Sequence, residues 1–584
     1  GMDERLSSYG LIARASIEYS VPLLTKLFLE RFQQLDKVRG VSDPTALLEE
    51  VYSLLLIAGH VLADEGEGEL PLVPEAIQTH FLDVREGDKH PVVVLSSTIL
   101  RFAEQSVDPE TRASTFSPRL MEELTCRHLL HGLVRRRDIC MQLVSLDSWR
   151  DLAKSFANER TLFLLSSNHQ RSLARTLVLS ASGLRNSDTS NQYVRDLMNH
   201  MTAFIVDLSG NHDLKNVSQQ PETIMMVTCL LERLRGAASA SEPRTQRAIY
   251  EMGFSVMNSV LTLLEVYKHE SAVVYLLLKF VVQWVEGQII YLEAQETAAL
   301  INFAMRLLQM YSSHNIGKIS VSHSSALVNE EKTEKYKDLR ALIQLLSSLC
   351  SKDLIDFSKD PIESQGISIA QVVYVGLHII TPLISFDLLK FPKLCRDYFS
   401  LISHMLEVYP EMVAQLNADA FVHVLGALDF GLRHQDSEVV DKCLRALKAL
   451  ASYHYKETVS GKIGLGSHAG GFKDSEGKFQ EGILSRFLSS LLHLLLFEDY
   501  SNDLVSAAAD ALLPLILCEQ GLYQRLGNEL MEKQPSAELK TRLANALQSL
   551  TNQLSSTLDR INYQRFRKNL LNFLVEVRGF LRTV

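Results

Sequence analysis

The sequence predicts an all-α fold, an α-α superhelix built as a HEAT-like repeat solenoid, on three observations. Apolar residues recur at the i, i+3, i+4, i+7 spacing of a buried helix face almost from end to end. Short polar joints separate these runs every ~15–25 residues, so paired helices make units near the ~40–47 residues of HEAT or armadillo repeats. The 584 residues also exceed the ~250–300 that a single core serves, so the chain must divide or extend by repetition.

Composition agrees with helix. Leu dominates, and Gly (28) and Pro (15) are few. Leu loses little rotamer freedom in a helix, whereas strand-rich folds need many turn residues. Three segments show the pattern clearly. In Asp338–Cys350 one face carries Leu339, Leu342, Ile343, Leu346 and Leu349. In Ser437–Leu450 it carries Val440, Cys443, Leu444, Leu447 and Leu450. In Asp559–Leu581 it carries Ile561, Phe566, Leu570, Phe573, Leu574, Val577 and Leu581. Alternating, strand-like spacing is confined to the short stretch Lys318–Val321.

Boundaries carry their own chemistry. Asp43 is a candidate N-cap with Pro44 at the first helical position. Ser117-Pro118 repeats that signal, and Glu242-Pro243 marks a break. Roughly twenty helices result, without a literal repeated motif. A compact all-α domain of irregular topology is the competing reading. Around one core many helices would be buried outright, whereas these keep polar faces. Longer irregular stretches fall at 64–73, 317–334, 356–367 and 460–482. The organisation expected is HEAT-like repeats over 1–459, a mobile loop over 460–482 rich in Gly, Ser, His and Lys, and further repeats of the same solenoid over 483–584.

Several function classes are disfavoured. The net charge of −10 and pI of about 6.0 argue against a general nucleic-acid binder, which needs clustered Lys and Arg. An acidic chain suits basic protein partners better. Seven scattered Cys, without a CxxC pair, indicate a reducing compartment. Asn216-Val217-Ser218 fits a glycosylation pattern, but no signal peptide opens the chain and Gly1-Met2 reads as a scar or a truncated start. The run Val273–Leu292 is long enough to tempt a membrane reading. Lys279, Gln283, Glu286 and Gln288 are too polar for a bilayer centre, and 279, 283 and 286 share a helix face, so an amphipathic buried helix is expected.

No catalytic constellation is present: there is no GxxxxGK[ST] loop, HExxH helix or GxSxG elbow. Gly464-Leu465-Gly466 has no preceding strand and cannot form a dinucleotide crevice. His128 and His131, near Cys126, permit metal ligation by spacing, but a structural zinc needs four ligands, so exposed helix residues are the plainer reading. Neither an enzyme, a cofactor nor a metal is expected. Arg135-Arg136-Arg137 reads as a solvated helix face before an acidic-partner contact. Asp64, Glu65, Glu67 and Glu69 put four carboxylates into six residues. Such a cluster is either a solvated turn or a receiver of a Lys- or Arg-rich partner; the EF-hand register is absent.

Five blocks resemble the exportin-4 family of the importin-β (karyopherin-β) superfamily. They are LRALIQLLSSLCSKDLIDFS (Leu339–Ser358), QVVYVGLHIITPLISFDLLKFPKLCRDYFSLISHMLEVYPEMVAQL (Gln371–Leu416), GHVLADEGEGELPLVP (Gly59–Pro74), LTLLEVYK (Leu261–Lys268) and STLDRINYQRFRKNLLNFL (Ser556–Leu574). DLLKFPKLC, Asp387–Cys395, is the most characteristic; the exportin-7 family shares part of its flavour. The resemblance implies a C-terminal portion of a monomeric nuclear export receptor that shuttles between nucleus and cytoplasm through the nuclear pore, with nucleoporins and GTP-bound Ran as partners. Implied cargoes are the hypusine-bearing translation initiation factor and Smad- and Sox-type factors. Neither nucleic acid nor membrane insertion is implied; a generic helical-repeat scaffold without a transport role is the alternative.

Two departures from the family stand out. Its N-terminal Ran-binding region has no counterpart before Ser7, so weak or absent Ran binding is expected. SPRLME (Ser117–Glu122) also runs almost directly into LVRRRDICMQLVSLDSWRDLAKSFA (Leu133–Ala157). This reads as an internal deletion near 121–132, a splice variant or a faulty gene model. Helices that a deletion brings together meet with unlike faces, so a weak or kinked junction is expected at Met121–Gly132. In the light of the resemblance, Asp64, Glu65, Glu67 and Glu69 become candidate contacts for basic cargo.

Overall fold

A computed structural model describes residues 2–62, 74–80, 90–107, 140–141, 143–161, 163, 165–315, 325–356, 368–473, 476–498 and 500–581. The chain divides into two units, Gly1–Leu292 and Glu293–Val584.

The first unit comprises α1 (Met2–Ala15), α2 (Ile17–Val38), α3 (Thr45–Leu62), α4 (Glu75–His80), α5 (Pro91–Val107), α6 (Asp147–Ala157), α7 (Ser167–Leu179), α8 (Ser187–Ser209), α9 (Leu214–Val217), α10 (Pro221–Ala238), α11 (Gln246–Val266) and α12 (Ser271–Gln288). The start of α3 follows the expected chemistry one residue late. Asp43 Oδ1 accepts from the Thr45 amide at 3.0 Å, and the first helical residue is Thr45 rather than Pro44. The helices then stack alternately: α7 packs on α10 and α10 on α12, while α6 packs on α8 and α8 on α11. Alternation of this kind is what helix pairs produce when each leans on the pair before and after it.

The run beginning at Val273 is α12. Val273, Leu277, Phe280, Val281, Trp284 and Val285 are buried, while Lys279 and Gln283 are half-buried and Glu286 is exposed. It is an amphipathic core helix, as its polar spacing requires. Trp284 Nε1 donates to the Ile249 carbonyl at 3.0 Å. Gly253 lets the indole approach, because a Cβ there would collide with the ring. Among the described residues α3 is the one single helix long and apolar enough to cross a membrane by length and composition. It packs against α1 and α2, and Val51, Leu55, Ala58, Val61 and Leu62 are buried there.

The second unit comprises α13 (Ala294–Asn315), α14 (Ser325–Asp356), α15 (Ile369–Ile380), α16 (Pro392–Val408), α17 (Pro410–Ala414), α18 (Ala418–Leu432), α19 (Ser437–Val459), α20 (Ile483–Phe497), α21 (Val505–Cys518), α22 (Gln520–Glu532), α23 (Ala537–Leu550) and α24 (Arg560–Leu581). One layer runs α14, α16, α19, α21, α24, each packed on the next. In the other layer α13 packs on α15, and α18 and α20 pair with α19 and α21. Successive helices of the first layer are cross-tied by charge. Arg340 Nε lies 2.7 Å from Asp397 Oδ2, and Arg396 Nε lies 2.8 Å from Asp436 Oδ2. Asp436 also caps α19, accepting from the Glu438 amide at 3.0 Å. The expected faces of 338–350 and 437–450 are buried throughout. On α24 one residue departs: Ile561 is 66% exposed, and its neighbour Asn562 is buried instead. Asn562 Nδ2 donates to the Ser555 and Thr557 carbonyls at 2.9 and 2.6 Å, so the polar turn before α24 takes the inward position.

Between α19 and α20 the described residues of 460–482 form a short 3-10 turn, Gly466–His468, and an antiparallel pair, β1 (Phe472–Lys473) and β2 (Phe479–Gln480). The His468 ring stacks on Phe421 at 4.1 Å, and its Nε2 donates to the Leu416 carbonyl at 2.9 Å. The Leu465 amide donates to His454 Nδ1 at 3.1 Å. Gly464, at φ +55, passes against that ring where a Cβ would not fit.

Candidate functional site

Asp64, Glu65, Glu67 and Glu69 lie outside the described residues, as do Cys126, His128, His131, Arg135, Arg136, Arg137 and the 121–132 junction. Gly464-Leu465-Gly466 follows a helix and turns back on it, as expected of a loop without a crevice. Among the described residues no three His, Cys, Asp or Glu side chains are grouped so as to hold a metal ion. The described thiols are free, and burial pushes Cys140 and Cys395 up to about 11, which suppresses the reactive thiolate.

A charged concavity lies on the second unit, along α19. A groove of about 910 Å³ runs between α16, α19, α21 and the start of α24, lined by Glu407, Asp441, Arg445, Lys448, Asp503 and Arg567 among others. Tyr453 also borders a second hollow of about 570 Å³ that continues to the 462–468 turn, past Glu411, Glu457 and Lys462. Helical spacing explains the lining. Residues 441, 445, 448, 452 and 456 recur at three or four positions and share one face of α19, with Leu444 at its edge and Leu447 and Leu450 turned to the core.

The charges in this groove are mostly spoken for. Arg567 forms a forked pair with Asp510, both bonds at 2.6 Å. Lys448 approaches the same carboxylate at 3.8 Å and lies over the Tyr563 ring at 4.6 Å. Arg445 pairs with Asp441 at 3.0 Å, and Lys462 with Glu457 at 3.5 Å. The hydrogen bond to Asp510 holds Arg567 even more firmly protonated than usual. Burial, followed by the negative charges of Glu457 and Glu411, pushes the Tyr453 phenol up. Among the described residues Glu407 accepts from Ser403, at 3.1 Å. Among the described residues no Lys or Arg pairs with Glu407, Glu411 or Asp503, His404 being the titratable neighbour of Glu407, and Lys456 has no acidic partner. Over the two hollows together six carboxylates face five Lys and Arg side chains, and because Lys448 and Arg567 share Asp510, Glu407, Glu411 and Asp503 are the carboxylates left open to a further cation.

Sequence reasoning did not find this groove. The Asp441–Arg445 pair has visible i, i+4 spacing, but Lys448, Asp510 and Arg567 come from three helices far apart in the chain, and no local signal joins them.

Comparison with known proteins bears on the same region. The family model described as Exportin-4 matches residues 117–583. That span contains the groove and four of the five resembling blocks; Gly59–Pro74 lies outside it. Exportin-4 of Dictyostelium discoideum is 22% identical over 657 residues, covering 99% of this chain and 54% of that protein. Exportin-7-B of Xenopus laevis is 23% identical over 254 residues, 42% of this chain and 23% of its own length. Ran-binding protein 16 of Drosophila melanogaster is 26% identical over 203 residues, 33% of this chain and 18% of its own. The chain thus spans about half the length of the exportin-4 it matches. With most of its length, both helical layers of the second unit and the charged groove inside one family match, the chain belongs to the exportin-4 family.

Proposed function

We propose that this chain is the C-terminal part of a nuclear export receptor that carries protein cargo out of the nucleus with GTP-bound Ran, shuttling through the pore by way of nucleoporins. Family membership supports the transport role, and the name of the Drosophila relative, Ran-binding protein 16, supports Ran as a partner. The reading is of a binding protein without catalytic chemistry. The hypusine-bearing initiation factor and Smad- and Sox-type factors are the cargoes that the resemblance implies.

The observation that carries the cargo reading is that Glu407 and Asp503 in the groove, and Glu411 in the hollow beside it, make no ion pair with a Lys or Arg among the described residues, while Arg445, Lys448, Lys462 and Arg567 are already paired. An ammonium about 4 Å from one such carboxylate gains up to ~4 kcal/mol near a protein surface, before desolvation. The groove therefore favours a Lys-like side chain presented by a folded cargo. Asp64, Glu65, Glu67 and Glu69 belong to the same proposal as a second attractor, one that steers basic cargo from solution.

Cargo binding at low salt tests both sets. The triple variant Glu407→Gln, Glu411→Gln, Asp503→Asn should weaken a hypusine-bearing cargo about tenfold or more, chiefly through faster release. Amide substitution of all four residues of the 64–69 cluster should slow association instead. Unchanged rates in either variant remove that set from the proposal. Capture by GTP-locked Ran together with basic cargo, using the chain extended to its relatives' full length, separates a receptor from a scaffold without transport role: a scaffold is retained by neither.

The internal deletion near 121–132 remains part of this reading. The Dictyostelium match covers 657 residues against 584 here, so that relative contains residues with no counterpart in this chain.

A further inference from the structure

The layer of the first unit formed by α7, α10 and α12 carries more guanidinium than carboxylate. Glu232, only 5% exposed in its side chain, is flanked by two arginines: Arg171 Nε is 2.6 Å from Oε2, and Arg235 contacts Oε1 at 3.3 Å. Arg235 Nε donates to Gln283 Oε1 at 3.0 Å, and Arg171 also reaches Asn168 Oδ1. The Arg171 approach to Glu232 is close but lacks the alignment of a hydrogen bond. One turn further along α7, on the same face, stands Arg175. It is half-buried, and its Nε is enclosed without any acceptor. Arg171 and Arg235 therefore share one carboxylate, and Arg175 beside Arg171 on α7 has none among the described residues.

This arrangement is costly as it stands. A buried donor without an acceptor forfeits about 1–3 kcal/mol, and more when it is charged. Other arginines packed into this unit have their acceptors: Arg195 binds Glu251, Arg233 binds Gln170, and Arg244 binds the Ser182 and Leu184 carbonyls. The exception sits where a second carboxylate, placed between Arg171 and Arg175, would repeat what Glu232 does between Arg171 and Arg235.

We propose that Arg171 and Arg175 form a docking site for a carboxylate side chain of an acidic segment on a partner protein. The planar fork of a guanidinium matches a two-oxygen carboxylate, and the chain's net charge of −10 makes a local cationic surplus unusual on its surface. The site has the opposite sign to the groove on α19. It therefore takes a different class of partner surface and does not depend on the cargo reading.

A fluorescently labelled hexaglutamate peptide serves as the probe, titrated into the whole chain at low salt. Saturable binding is expected, weakened about tenfold by Arg175→Gln, the factor that one lost charge-assisted bond carries. Arg185→Gln, exposed and away from the cluster, should leave the affinity unchanged. Arg175→Gln should melt no lower than the parent, because it removes an unanswered charge rather than a contact. Absence of peptide binding in the parent, or equal binding by parent and Arg175→Gln, overturns the proposal. So does full displacement of the peptide by inorganic phosphate at matched concentration, which would make this a small-anion site.

Discussion

The two units place charge between helices in opposite ways. In the first, Glu232, Arg233 and Arg235 lie on one stretch of α10 and are 4%, 0% and 4% exposed. Arg233 donates to Gln170 Oε1 at 2.8 Å, to the Phe156 and Asn158 carbonyls at 3.1 and 3.2 Å, and to the Thr161 carbonyl, with its guanidinium over the Phe156 ring at 4.9 Å. Burial lowers its pKa to about 10, so it stays charged at neutral pH. In the second, the pairs Arg340–Asp397, Arg396–Asp436 and Arg567–Asp510 join helices at the half-exposed rim of a layer. A buried cation that satisfies several carbonyls fixes a junction, because nothing replaces it when it leaves. A rim pair can open to water or exchange with a partner's charge at little loss. The first arrangement specifies shape, whereas the second leaves a surface on which binding can trade one ion pair for another.

Substitution should break this comparison most sharply at Arg233. Arg233→Ala removes the guanidinium donor to Gln170 Oε1 and to the Phe156 and Thr161 carbonyls, the Asn158 carbonyl keeping the Thr161 amide and hydroxyl, and opens a cavity under Phe156. The expected loss is ~3–5 kcal/mol in the first unit, read as lost amide protection in the 156–161 connector and in α10. Arg233→Lys should recover only part of it, since an ammonium cannot reproduce the planar fork. Asp510→Asn should cost only about 0.5–1 kcal/mol and abolish the salt dependence of α21–α24 protection. Equal losses at Arg233 and Asp510 would erase the distinction between the two units.

Much of this was legible before any coordinates. Periodicity alone marked α14, α19 and α24, because one face of each must be buried and Leu, Val and Phe recur there at helical spacing. The same reasoning misplaced Ile561, since a cap interaction by Asn562, invisible to hydrophobic spacing, turned the first residue of that face outward. The division at 292/293 left no compositional mark, because it depends on which helices pack and not on what joins them. The charged features were least legible. Glu232, Arg233 and Arg235 carry no mark of burial in the sequence, yet all three are interior, since their partners Gln170, Thr161 and Gln283 come from other segments of the chain. The groove escaped for the same reason: its Lys448–Asp510 and Arg567–Asp510 pairs join different helices distant in the chain.

The smallest expected effect concerns pH and the turn that closes the groove's far end. His454 is half-buried on α19, and burial depresses its pKa below the ordinary histidine value. Its Nδ1 accepts the Leu465 amide, so the neutral ring is the form that holds the turn. A depressed folded-state pKa means that the unfolded ring takes up its proton first. The contribution is therefore whole above about pH 6.5, the unperturbed value, and is lost as pH falls through the lower folded value. Protonation turns Nδ1 from acceptor into donor against an N–H, so one hydrogen bond is lost, worth at most about 1 kcal/mol on a half-exposed ring. Amides of 463–466 should lose hydrogen-exchange protection on acidification while β1 and β2 and the core of α19 keep theirs. Burial depresses His404 as well, so its protonation on acidification must be told apart from that of His454. His454→Asn separates the two: its side-chain oxygen can accept the Leu465 amide at every pH, so the turn should stay protected in acid while any loss owed to His404 persists. If the 463–466 amides of His454→Asn open in acid as readily as the parent's, the turn is not held by this imidazole.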